Sequence, residues 1–302
     1  MKTTQHFLSL NDLSLDSLEH LIARAIEIKS NLKKGVFDQP LKGKTLAMLF
    51  TKASTRTRVS FETGMFQMGG TSINLSASDT QIGRGEPIKD SARVISSMVD
   101  GILIRTDAHS KVEEFAEYSS VPVINGLTDD FHPCQLLADL QTFYELRGSI
   151  KGARVAWVGD GNNMCHSWMN AARLFDFKLA IATPAGYAPQ ECMVEQNRAV
   201  IEMSNDPVQA AKHANVVVTD TWASMGQENE KTDRAAAFEG FCVDNKLMEY
   251  ADDEALFMHC LPAYRGLEVS DSVMEGKHSV IFQEAENRLH AQKALLEFLL
   301  VS

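Results

Sequence analysis

The run Ser54-Thr55-Arg56-Thr57-Arg58 sets three hydroxyl groups and two guanidinium groups side by side. Such a run suits an anion with several oxygens, above all a phosphate. The preceding stretch, Lys44 to Phe50, is apolar and continuous like a buried strand, whereas Val59, Phe61, Met65, Phe66 and Met68 recur at helical spacing. Ser54 therefore reads as the N-cap of a helix that follows a strand. The first turn of that helix aims unpaired backbone N–H groups and the positive end of the helix dipole into the loop. Arg56 and Arg58 add planar forks that can grip phosphate oxygens in pairs. A lone arginine near a cap is ordinarily a solvated surface residue. Five such residues in succession outweigh that reading.

Four further constellations follow. In Phe131-His132-Pro133-Cys134-Gln135 the proline suits the first position of a helix and leaves His132 in the loop before it. His132 and Gln135 could together polarise a carbonyl oxygen; a capping or packed histidine is the plainer alternative. Val158-Gly-Asp160-Gly161-Asn162-Asn163 has the look of a dinucleotide fingerprint, but Met164 stands where the third glycine belongs, so the nicotinamide reading is weak. Asn162 and Asn163 are equally good turn residues. Asp220, directly after the apolar run Ala214 to Thr219, supplies a carboxylate able to hold an ammonium group, with a polar loop Ser224-Met225-Gly226 beyond it. An ordinary strand-to-loop aspartate is the alternative there. His259-Cys260-Leu261-Pro262 ends another apolar run and presents a thiol that is either reactive or a buried inert cysteine. Arg288, in Glu286-Asn287-Arg288, adds a guanidinium near the cleft expected between two domains.

The elements that must carry these groups are legible as alternating runs. Candidate strands lie at Lys44 to Phe50, Thr71 to Leu75, Gly101 to Ile104 and Val121 to Asn125, with helical patterns between them. After the helical stretch Cys134 to Arg147, Gly148 and Gly152 bracket a break. A second series follows at Ala153 to Val158, Lys178 to Thr183, Ala214 to Thr219, Ala255 to Cys260 and Ser279 to Phe282. The expectation is an α/β protein of two doubly wound parallel-sheet domains joined by helices. The first spans 1–148, completed by a C-terminal helix over 287–302, and the second spans 149–286. In such sheets ligands bind beyond the carboxyl ends of the strands, where every motif above falls.

Composition narrows the class. A chain of 302 residues with 44% hydrophobic content can bury two cores. A formal charge of -11 speaks against nucleic-acid or anionic-membrane partners and leaves an anionic ligand dependent on a local pocket. Acidic residues among the leucines of the first thirty positions fit neither a signal peptide nor a membrane span, so a cytoplasmic protein is expected. Five scattered cysteines without a CxxC spacing indicate neither a disulfide framework nor a structural zinc site.

Taken in order along the whole chain, Ser54-Thr-Arg-Thr-Arg58, His132-Pro-Cys-Gln135, Asp220 with Ser224-Met-Gly226, and His259-Cys-Leu-Pro262 resemble the motifs of ornithine carbamoyltransferases. The first motif is shared by all carbamoyltransferases; the Ser-Met-Gly loop is the piece that singles out the ornithine branch. The resemblance implies transfer of a carbamoyl group from carbamoyl phosphate to the side-chain amine of L-ornithine, without a cofactor or metal. It implies Ser54, Thr55, Arg56 and Thr57 on the phosphate, with Arg105, His132 and Gln135 around the carbamoyl group. Cys260, Leu261 and Arg288 fall at the reacting amine and carbamoyl group, and Asn163, Asp220, Ser224 and Met225 on ornithine. Gln81 matches a position that reaches the phosphate of a neighbouring subunit, which implies a homotrimer. Thr51, where many members carry an acidic residue, and the short segment Ala263 to Val269 depart from the pattern without touching an implied contact. Relatives specific for putrescine or an acylated ornithine, and a paralogue that binds without turnover, are the alternatives. A diamine lacks the carboxylate and α-ammonium that Asn163 and Asp220 would hold.

Overall fold

The computed structural model describes residues 4–76, 85–223 and 231–301. The chain divides into two compact units, 1–141 with 286–302, and 142–285. Unit 1 opens with helix α1 (Leu15–Lys33), then β1 (Thr45–Phe50), α2 (Thr55–Gln67), β2 (Thr71–Ser76), α3 (Ile88–Ser96), β3 (Gly101–Arg105), α4 (His109–Tyr118) and β4 (Val123–Leu127). Helix α5 (Pro133–Arg147) carries the chain into unit 2. There follow β5 (Arg154–Val158), α6 (Asn163–Phe175), β6 (Lys178–Ala182), α7 (Glu191–Asn197), β7 (Ile201–Ser204), α8 (Pro207–Ala211) and β8 (Val216–Thr219). Then come α9 (Lys231–Ala237), α10 (Asn245–Met248), β9 (Leu256–His259), α11 (Asp271–Met274) and α12 (Ile281–Leu300), which returns the chain to unit 1. None of the described helices is long and apolar enough to cross a membrane.

Both sheets are wholly parallel. Unit 1 orders its strands β2-β1-β3-β4 and unit 2 orders them β7-β6-β5-β8-β9. The expected fold class, two doubly wound parallel sheets, is therefore observed. The strand order reverses at β1/β3 in one unit and at β5/β8 in the other, and at such a switch point adjacent loops part to leave a crevice. Ser54 follows β1 and Arg105 ends β3. Asn162 follows β5 and Asp220 follows β8.

The central strands read as continuous apolar runs because helices cover both sheet faces. In unit 1 Ala47, Leu49, Ile102, Ile104 and Val123 pack with Val112 and Phe115 of α4. In unit 2 Ala156, Val158, Ala180 and Ala182 are small enough to admit Phe238, Phe241 and Trp222 over the sheet. A fully buried side chain such as Phe257 contributes roughly 1.5–3 kcal/mol relative to exposure.

Two expectations differ from the structure. Ser279 to Phe282 is not a strand. Ser279 makes an isolated bridge to Phe257, Val280 donates to the Phe257 carbonyl, and the chain then enters α12 at Ile281. The strand-like pair Val280-Ile281 is overridden because Glu284 N–H bonds back to the Val280 carbonyl at 2.8 Å and closes a helical turn. Strand β7 was not expected: Ile-Glu-Met-Ser is a sheet edge, half exposed, and lacks the apolar run of a central strand.

Gly161, in the turn from β5 to α6, donates its N–H to the Tyr187 carbonyl at 2.9 Å, and a Cβ there would lie 2.2 Å from Pro189 N and 2.4 Å from the Ala188 carbonyl carbon. These are backbone atoms, which cannot swing aside. Gly161→Ala should therefore destabilise by about 1–3 kcal/mol, read as a fall in the thermal midpoint of about 2–4 °C per kcal/mol; a midpoint within about 1 °C of wild type would contradict the close approach.

Candidate active site

The phosphate-type run takes the predicted shape. Ser54, with φ -154° and ψ 109°, caps α2, its hydroxyl accepting from Thr57 N at 3.3 Å. Thr55 is the first residue of α2, and the half-buried Arg56 lies close enough to His132 to affect its charge. Arg58 departs from expectation. It is about half exposed and pairs along the helix with Glu62 at 2.8 Å, pointing its fork at a surface carboxylate.

Thr57 is buried and serves as a hub. Its hydroxyl lies 3.5 Å from Arg105 and 3.4 Å from Arg288, long contacts that hold both guanidiniums loosely at one point. Arg105 leaves the last position of β3 and is 7% exposed; Arg288, on the third turn of α12, is 3% exposed. Arg288 donates to Gln135 Oε1 at 2.6 Å, and Gln135 Nε2 donates to the buried Asp139 at 2.8 Å. With its amide turned, Gln292 accepts from Arg288 Nε at 3.0 Å and Nη2 at 2.9 Å while donating to Ser60. The two amides, Gln135 backed by Asp139 and Gln292 backed by Ser60, orient the arginine.

His132 stands just ahead of Pro133, the first residue of α5, as the motif implied. Burial, and then the charges of Arg288, Arg105 and Arg56, hold its imidazole well below the usual histidine range. A neutral imidazole keeps one N–H to donate and avoids a fourth positive charge. Among the residues predicted for the phosphate and carbamoyl group, Thr57, Arg105, Gln135 and Arg288 are thus joined by contacts, with His132 and Arg56 in their field.

Unit 2 builds a second cluster around a carboxylate. Thr219 at the end of β8 donates to the Val158 carbonyl at 2.6 Å and joins the two strands of the switch point. Asp220 Oδ1 accepts from Thr221 N at 2.8 Å and from the Cys260 thiol at 3.2 Å, and Oδ2 accepts from Asn162 Nδ2 at 2.9 Å. Asn162 also caps α6, its Oδ1 accepting from Met164 N and Cys165 N. Asn163, the residue the motif singled out, is buried at the first helical position.

The Cys260 segment is pinned from behind. His259 N donates to Glu284 Oε2 at 3.0 Å, and Leu261 N donates to His259 Nδ1 at 2.9 Å. Nδ1 is therefore an acceptor, which assigns the ring proton to Nε2, 3.2 Å from the buried Glu268 Oε1. That bond holds Leu261 in the left-handed region at φ 58°, unusual for a branched side chain. Donor atoms of Asp220, His259 and Cys260 lie within 4.8 Å of one another. Both ring nitrogens of His259 are engaged, so the trio reads as orienting machinery rather than a cation cage.

Burial pushes the Cys134 thiol up to about 12 and Cys242 up to about 11, and Cys165 is raised as well, which marks them as inert packing groups. Cys260 differs in donating its half-buried thiol to the Asp220 carboxylate. Gln81, Ser224 and Met225 lie outside the described residues. A cavity of about 520 Å³ in unit 2, lined by Asn245, Glu249, Asp252, Lys277 and His278, contains none of the predicted residues. Glu268, Glu284, Asp139, Gln292 and the cap Asn162 were not singled out as functional; only Asn162, an asparagine directly before a helix, carried a local signal.

The chain matches two family models: residues 5–145 the carbamoyl-P binding domain of aspartate/ornithine carbamoyltransferase, and residues 151–299 the Asp/Orn binding domain. It is 59% identical over 296 residues to an ornithine carbamoyltransferase of Hydrogenovibrio crunogenus, covering 98% of each chain. The crystal structure of ornithine carbamoyltransferase from Burkholderia thailandensis superposes with a TM-score of 0.92 at 50% identity, covering 98% of this chain and 99% of that one. That of Pyrococcus furiosus superposes with a TM-score of 0.95 at 46% identity, covering 99% and 97%.

The depressed basicity of His132 has a readout of its own. In an NMR titration its ring should take up a proton only well below the ordinary histidine value of about 6.5, and folding stability should fall as pH drops below about 6.5, because there the unfolded chain takes up a proton the folded one refuses. A folded-state midpoint near 6.5 would contradict the electrostatics described.

Proposed function

The chain belongs to the aspartate/ornithine carbamoyltransferase family, and on that premise we propose that it transfers the carbamoyl group of carbamoyl phosphate to the side-chain amine of L-ornithine, giving L-citrulline and phosphate. The observation that carries the reading is the convergence, at the switch point of unit 1, of the capped start of α2, the Thr57 hydroxyl and the guanidiniums of Arg105 and Arg288 beside a neutral His132.

The N–H groups at the start of α2, with Ser54, Thr55, Arg56 and Thr57, bind the phosphate dianion. Arg105, His132 and Gln135 take the carbonyl end, where a neutral imidazole N–H and a guanidinium stabilise the oxyanion as the carbon becomes tetrahedral. Arg288 balances charge as the C–O bond to phosphate breaks and the electron pair leaves with the phosphate.

Unit 2 handles the amino acid. Asn163 and Asp220, with the Ser224-Met225 motif of the sequence, hold its α-ammonium and carboxylate, and Cys260 with Leu261 receives the reacting amine. That amine has an ordinary pKa of about 10.4, so near neutral pH almost all of it is protonated and unreactive. Asp220 and Cys260 orient the neutral form, and the Asp220 carboxylate accepts its proton as the N–C bond forms. The assembly belongs to the same reading: a cytoplasmic homotrimer, for which Val59 and the 80% exposed Phe66 of α2, beside Ile73 on the edge strand β2, offer apolar surface to a second copy.

Purified protein supplied with carbamoyl phosphate should form citrulline from ornithine in strong preference to putrescine, acetylornithine or aspartate. Below the amine pKa the rate at low ornithine should climb toward about tenfold per pH unit. A flat profile from about pH 6 to 9 would contradict the neutral-amine mechanism, and turnover of another acceptor would overturn the ornithine assignment. The same preparation should sediment at three times 33.4 kDa.

A further inference from the structure

Arg234 does not belong to any recognised motif, yet it is almost fully buried on α9 and spends one nitrogen on two different loops. Nη1 donates to Asp160 Oδ2 at 2.8 Å and to the Trp222 carbonyl at 2.7 Å. Asp160 lies in the turn after β5, two residues before Asn162, and Trp222 lies two residues after Asp220, beyond β8. The guanidinium therefore bridges the loops on the two sides of the switch point in unit 2.

The surroundings fix the arginine in place. Its guanidinium carbon sits 5.0 Å from the centre of the Tyr187 ring, which packs edge-on against Phe238 at 4.8 Å. Trp222 stacks on the same Phe238 at 5.2 Å with planes 23° apart. The Tyr187 carbonyl in turn accepts from Gly161 N, so the turn carrying Asp160 is tied to the ring that the arginine covers. Burial raises the Asp160 carboxyl, with Asp220 adding to the rise; Arg234 and the Gly161 N–H oppose it, and the balance stands at about 6.

From this geometry we infer that Arg234 is a positioning residue for the amino-acid substrate: it sets the spacing of the loop bearing Asn162 and Asn163 against the loop bearing Asp220. The inference rests on the ornithine reading of that crevice. Two loops are free to splay at a switch point, and Asn162 Nδ2 to Asp220 Oδ2 is a single hydrogen bond across them. Arg234 adds a second tie, from backbone on one side to a carboxylate on the other, outside the crevice itself. Losing it leaves Asp220 intact but lets its carboxylate drift from Asn162. Weaker capture of the amino acid would follow, with the phosphate cluster of unit 1 untouched.

The test is steady-state kinetics of the full-length enzyme with Arg234→Gln, Arg234→Lys and Asp160→Asn. Arg234→Gln should raise the KM for ornithine roughly tenfold or more while kcat and the affinity for carbamoyl phosphate change less than about threefold. Arg234→Lys, which keeps a charge and donors but loses the guanidinium over the Tyr187 ring, should fall between it and wild type. An ornithine KM within about twofold of wild type in Arg234→Gln, whatever its melting temperature, would overturn the inference and leave Arg234 as a stabilising contact. Should Arg234→Gln fail to fold, Asp160→Asn decides by the same criterion. Failure of the wild type itself to use ornithine would instead sink the functional reading, so the two failures are distinguishable.

Discussion

Burial and three guanidinium groups act on one imidazole, and the candidate site of unit 1 is arranged around that neutral ring. Arg56, Arg105 and Arg288 reach His132 from the start of α2, the end of β3 and the third turn of α12. Like charges at such range repel strongly where water is excluded, so the arrangement is stable only with rigid supports behind each side chain. Thr57 receives two of the arginines, Gln135 backed by Asp139 receives one of them again, and Gln292 braces it from the far side. A dianion entering this field meets positive charge already in place, which is the preorganisation that phosphate binding and oxyanion stabilisation both require.

Unit 2 repeats the architecture with the opposite polarity. Its switch point is organised around a carboxylate, Asp220, which collects an asparagine amide, a backbone N–H and a thiol. The β9 terminus is fixed by two further buried carboxylates, Glu268 on the ring of His259 and Glu284 on its backbone. One crevice is therefore suited to an anion and the other to an ammonium group, though both are built from parallel strands of small and branched apolar residues. The fold supplies the crevices; the side chains at the strand ends supply the chemistry.

Much of this was legible because the informative groups sit at element boundaries. Ser54 before a helix and Pro133 at a helix start have local meanings, and the central strands are apolar runs that two-sided burial requires. What escaped has a common physical origin, since it depends on partners distant in sequence. Arg58 looks as able as Arg56 to bind phosphate, but Glu62 one turn on captures it. Ser279 to Phe282 has strand composition, and the hydrogen bond from Glu284 turns it into the start of a helix. The edge strand β7 has no apolar run to betray it. Glu268 resembles a surface glutamate until folding buries it against His259, and Arg234 resembles any helical arginine until two loops converge on it.

The claim on which everything else rests is that the cationic cluster around His132 exists to hold a phosphate dianion. Calorimetric titration with inorganic phosphate at about pH 8 tests it without requiring turnover, since the anion is then mostly doubly charged. The account predicts saturable binding of one phosphate per chain that weakens roughly tenfold or more in Arg56→Gln and with rising salt. Absence of binding, or binding indifferent to Arg56, would contradict it.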